Sequence, residues 1–235
     1  MLSELEEFRD FIKDSTKYGL WITLKSLVGI NRLYFQKYYI KSVLDFAKEN
    51  DLKFTFFITA KNLKKKAYLI KRMLNEGHEI GSHSYHHILH GEHDYERISK
   101  EFDMARREFK KYGIKPRGFR APFLSINKGV IKAIKEFGME YSSNVEGGKI
   151  FRYNNGVSEV PIIDPYDWKG FIAQRLSSEE LFKKWRGQNG TFLLHPWVIV
   201  KYLPNFKREF LKKGKDYRIV SNYKKGKICV SFDVY

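Results

Sequence analysis

Six of the seven histidines fall between positions 78 and 93, in the stretch GHEIGSHSYHHILHGEH. Neutral imidazole is the commonest side-chain ligand for metals, and catalytic divalent sites often join two histidines to a carboxylate. His83 and His87, like His86 and His90, are four apart, which brings two rings together if the segment is helical. Ser84 stands where the zincin motif HExxH needs its glutamate, so a protease reading is poor. A histidine-rich surface loop, or one packed structural ring, is the plainer explanation of such a cluster. The short apolar segment and glycines ahead of it favour a divalent metal, with zinc first and cobalt, nickel or iron allowed.

The elements around the cluster alternate between short apolar runs and amphipathic helices, the pattern of parallel strands with crossover helices. Helices are expected over Tyr38–Glu49 and Leu63–Asn75, with Lys53–Thr59 as a strand between them and His78–Gly81 extended. Ile98, Phe102, Ala105 and Phe109 mark a helix over Tyr95–Lys111. Gly118–Arg120 reads as a short strand before Pro122, and Asn127 as the cap of a helix closing near Gly138. Ser177 and Glu180 form a capping box, Thr191–Leu194 a buried strand, Phe206–Lys213 a helix and Ile228–Asp233 a last strand. In parallel α/β folds the active site lies beyond the carboxyl ends of the strands, which suits a barrel enzyme.

The 235 residues read as one domain, with no linker-like stretch, and residues 1–35 as a helical extension ahead of it. One cysteine, Cys229, rules out an intramolecular disulfide and a thiolate-rich metal site. The acidic start lacks a secretory pattern, and the apolar stretch from Gly19 to Ile30 is too short for a membrane span, so a cytoplasmic protein is expected. The net charge of +17 is spread over many segments without interleaved aromatics, which argues against nucleic acid as a partner. It leaves room for phosphate-bearing substrates or peripheral membrane contact.

Five segments in order resemble the polysaccharide deacetylases, also described as carbohydrate esterases of family four. FTFFITA at 54–60 is similar to that family's second-strand signature, and HSYHH at 83–87 to its His-Ser/Thr-x-x-His motif. FRAPF at 119–123, EVPIIDPYDW at 159–168 and FLLHPW at 192–197 resemble the third, fourth and fifth motifs. The resemblance implies a distorted, incomplete (β/α) barrel and metal-assisted removal of acetyl groups from N-acetylated sugars. It assigns the metal to His83 and His87, the acid to His195, its partner to Asp167 and orientation of the base to Arg120.

The family's first motif, a strand ending in Asp-Asp or Asp-x-Asp, is missing from its usual place. Leu24, Lys25 and Ser26 occupy that position, and no aspartate lies between Asp14 and Asp45. SFDV at 231–234 resembles the motif at the opposite end of the sequence. A circularly permuted barrel would put this strand in the first-strand slot and make Asp233 the metal ligand or the base. Tyr235 then stands where the second carboxylate of an Asp-x-Asp form belongs. The expected activity is hydrolysis of the acetamide of an N-acetylated sugar, nucleotide- or lipid-phosphate-linked. A degenerate carbohydrate-binding relative and a hydrolase of an allantoin-like amide are the alternatives.

Overall fold

The computed structural model describes residues 33–186, 188, 190–212, 217–222 and 228–235. The expected extension up to residue 32, and with it the Leu24–Ser26 segment and Lys25, lies outside the described residues. Residues 33–35 belong to helix α1 (Leu33–Glu49). Strand β1 (Thr55–Ile58), helix α2 (Ala67–Asn75), strand β2 (Glu79–Ser82) and helix α3 (Tyr95–Lys110) follow. Next come β3 (Gly118–Phe119), α4 (Lys128–Glu136), β4 (Tyr141–Ser142), β5 (Phe151–Arg152) and β6 (Ser158–Glu159). After a π-helical turn at Trp168–Ala173, α5 (Ser178–Trp185), β7 (Gly190–Leu194), α6 (Pro196–Lys212), β8 (Tyr217–Arg218) and β9 (Ile228–Val234) complete the order. No helix among the described residues is long and apolar enough to cross a membrane.

The strands form one curled sheet in the order β5-β6-β4-β3-β2-β1-β9-β7, with β8 also on β9. Every pairing is parallel except β5 with β6. An isolated bridge from Ile162 to Thr191 draws the two ends of the curl together. This is the expected incomplete (β/α) barrel. Strand β9, last in sequence order, lies between β1 and β7, with Phe57 opposite Asp233 and Leu193 opposite Ser231.

Alternation along β9 settles which side chains face the interior. Val230, Phe232 and Val234 join the large cluster under the helices, with Phe56 and Ile58 of β1. Cys229 packs with Phe57 and Tyr141, in a second cluster on the barrel's inner side, and Ser231 and Asp233 share its face. Gly81 is needed on that side, because a Cβ there would meet the Phe57 ring at 2.5 Å.

Two expected helices have different limits. The one placed at Phe206–Lys213 begins ten residues earlier, with Pro196 in its first turn, where a missing N–H costs nothing. The one placed at Leu63–Asn75 starts as two short 3-10 turns and becomes α-helical at Ala67. The capping box at Ser177 and Glu180 is present. Trp185, at the end of that helix, stacks on Phe192 at 4.1 Å and donates its indole N–H to the Pro165 carbonyl at 2.6 Å. The loop that carries Asp167 is thereby fixed to β7.

Candidate active site

Because the strands run parallel, their carboxyl ends bring distant residues to one end of the barrel. His83 follows β2, Arg120 follows β3, His195 follows β7, and Asp233 lies near the end of β9. Asp167 heads the π-helical turn beyond β6.

Arg120 is completely buried in the interior, its guanidinium 4.6 Å above the Phe57 ring. One terminal nitrogen donates to the Asp233 carboxylate at 3.2 Å, the other to the hydroxyls of Ser143 at 2.8 Å and Ser231 at 3.2 Å. Burial raises the Asp233 pKa above the ordinary aspartate value, with Arg120 and His195 pulling the other way. A carboxylate in this setting is a better proton acceptor than one in water.

His195 and Asp167 form a second buried pair. Asp167 accepts from the His195 Nδ1 at 2.8 Å and from the His195 backbone N–H at 2.5 Å, and it also caps Trp168 at 2.6 Å. The carboxylate therefore holds the ring in the tautomer with the proton on Nδ1, leaving Nε2 for other partners. Burial alone would lower the His195 pKa. The charge and hydrogen bond of Asp167 outweigh it and raise the pKa above that of free imidazole.

The His83–His87 segment is not helical. Its backbone partners lie on the β1 side instead: His83 N–H donates to the Ile58 carbonyl, and the Ser84 and Tyr85 carbonyls accept from Ala60 and Lys61. Ser84 has φ +66°, outside the helical region. The rings of His83 and His87 still come within 5.1 Å, so the loop achieves what helical spacing was expected to do. Among the described residues, Glu101 is the chief tie on this loop, accepting from the His86 N–H at 2.8 Å and the Ser84 hydroxyl at 3.3 Å. It also pairs with the His86 ring at 2.9 Å, while the Ser84 hydroxyl meets His90 Nε2 at 2.8 Å. Sequence reasoning missed Glu101, although it lies on the apolar face of α3 three residues after Ile98 and is fully buried. A carboxylate in a helix's apolar stripe signals a buried partner.

The fit of a divalent ion is tested by the ring nitrogens of His83. His83 Nδ1 bonds the Arg120 carbonyl at 2.8 Å, the outer-shell contact typical of ligating histidines, and its Nε2 is buried without a partner. Burial drives its pKa down to about 3, so the ring is neutral and ready to bind a cation. His83 fits an ion, and the His87 ring lies beside it. Asp233 does not complete the ligand set expected with them: its carboxylate turns to Arg120. Among the described residues no three His, Cys, Asp or Glu side chains gather closely enough to hold a metal.

Comparison with known proteins gives concordant results. The sequence profile described as polysaccharide deacetylase matches residues 33–142. A peptidoglycan-N-acetylglucosamine deacetylase of Bacillus cereus is 32% identical over 102 residues, 43% of this chain and 48% of that protein. The chain spans about half, or less, of the length of the curated relatives it matches. Among solved structures, the Xyl-CE4 domain of a multidomain xylanase from the hindgut metagenome of Trinervitermes trinervoides superposes with a TM-score of 0.58. It is 19% identical, with 78% of this chain and 82% of that one covered. A CE4 family pseudoenzyme from Bacillus anthracis superposes with a TM-score of 0.56 at 20% identity, covering 83% of this chain and 59% of the other. These two likenesses concern the fold.

Proposed function

We propose that this chain, whose residues 33–142 match the polysaccharide deacetylase profile, hydrolyses the acetamide of an N-acetylated sugar. The observation that supports this most is the pairing of Arg120 with Asp233 across 113 residues of sequence. In this reading Asp233 supplies the base that the sequence at Leu24–Ser26 does not. His83 and His87 would hold the divalent ion, which when bound polarises the acetyl carbonyl and acidifies water.

The remaining chemistry belongs to the chain's own side chains. Asp233, oriented by Arg120, takes the proton of the attacking water. His195 delivers a proton from Nε2 to the departing sugar nitrogen, while Asp167 holds Nδ1 and stabilises the imidazolium. The relatives named as peptidoglycan-N-acetylglucosamine deacetylases favour N-acetylglucosamine, and the +17 charge favours an anionic carrier such as a phosphate-linked sugar.

The test is acetate release by the zinc-loaded chain from chitooligosaccharide, peptidoglycan strands and nucleotide-linked N-acetylglucosamine. Turnover of at least one, lost in His195→Ala, is expected. Saturable binding without acetate from any of them points to the second reading, a catalytically degenerate carbohydrate binder, which the absence of a third carboxylate or imidazole ligand among the described residues favours.

The two pairs also fix the expected pH profile. Asp233 works deprotonated and its pKa is raised, so activity falls on the acid side at higher pH than an exposed aspartate would set. His195 works protonated and its pKa is raised, so the alkaline limb lies above the ordinary imidazole value. Asp167→Asn removes the charge that raises it, and the alkaline limb should move to lower pH with the acid limb in place. An unmoved alkaline limb would sink the assignment of His195 as the acid.

A further inference from the structure

We propose that the phenol oxygen of Tyr235 is the third protein donor to the ion held by His83 and His87, an inference that rests on the reading above. The alternation that turns Ser231 and Asp233 inward predicts the same side for Tyr235, one step beyond the strand. Its ring lies there, 4.5 Å from the His87 ring and 6.0 Å from those of both His83 and His195. It is thus packed against both proposed imidazole donors.

Its backbone is held from behind. Lys66, only 2% exposed, donates from Nζ to the Tyr235 carbonyl at 2.8 Å, across 169 residues of sequence. A lysine is almost never fully buried without a partner, and this ammonium has one in that carbonyl. Phe123, in a left-handed conformation at φ +56°, also packs its ring 4.6 Å from that of His87.

The chemistry agrees with the placement. Two neutral imidazoles leave a dication without compensating charge, and Asp233 is committed to Arg120. Tyrosine oxygen is an established axial ligand to iron in haem proteins, so phenolate belongs among the anionic oxygen donors. Coordination through it releases the phenol proton to solvent. A ring that merely covers the site would make no use of its hydroxyl, and that difference is measurable.

The experiment uses the full chain, stripped with chelator and titrated with Zn²⁺, read as competition affinity and as the ultraviolet difference spectrum of ionised tyrosine. The native chain should bind one ion and show the tyrosine signal. Tyr235→Phe, which keeps the ring packing, should lose the signal and weaken binding by more than the ~10–100-fold that outer-shell changes cost. Tyr235→His should recover affinity without the signal. Equal affinity of the native and phenylalanine forms overturns the role of Tyr235 while leaving the imidazole pair standing. Failure of the native chain to bind Zn²⁺ overturns both.

Discussion

Asp233→Asn should reduce kcat for acetate release by about 10²–10⁴-fold, the usual contribution of a positioned general base. Asparagine keeps an oxygen for Arg120 to bond but cannot take a proton from water. The change weakens one buried charge pair, so a lower melting temperature is expected alongside the loss. Glu159 also compensates the Arg120 charge, and the transition should stay cooperative. Zn²⁺ affinity supplies the discriminating readout. If Asp233 is the base, affinity stays within a few-fold of the native value; if it is a ligand, affinity falls with activity. A variant whose kcat lies within threefold of native would remove Asp233 from the mechanism altogether.

Deleting residues 228–235 should leave no cooperatively folded domain. Strand β9 is hydrogen-bonded to β1 on one side and β7 on the other, so its loss strips β7 and β8 of their strand pairing with the rest of the sheet. Val230, Phe232 and Val234 leave the main core with it. Each such side chain contributes ~1.5–3 kcal/mol on burial, against a total stability of about 5–15 kcal/mol for a domain of ordinary size. Broken ladder bonds and the exposed Arg120 charge add to that deficit. Circular dichroism during heating checks it: a sharp transition within a few degrees of the intact chain would show that β9 is dispensable. Moving the same eight residues ahead of β1 through a flexible linker should restore folding if the permutation proposed from SFDV at 231–234 holds.

Local signals made much of this legible. The α3 stripe, the capping box of α5 and the apolar run of β1 are short-range features, and the structure follows them closely. The motif resemblance likewise brought His83, His87, Arg120, Asp167 and His195 to one end of the barrel. Helical spacing did not explain the histidine pair, because the His83 and Ser84 backbone is satisfied by the β1 side rather than by its own turn. The carboxylate of Asp233 was assignable only to a slot, since its choice of Arg120 over the imidazoles depends on inward alternation and on Ser143 and Ser231 around the guanidinium. Lys66 reads as one of three consecutive surface lysines until its carbonyl partner, far along the chain, is known.

The position of β9 also bears on how a ribosome delivers this protein. The other described strands emerge first, and until residues 228–235 appear β1 and β7 lack the pairing that β9 gives them. No nascent chain short of that point carries an assembled Asp233–Arg120 pair. Contacts spanning 113 and 169 residues must then close together, and long-range pairing of this kind is slow to form.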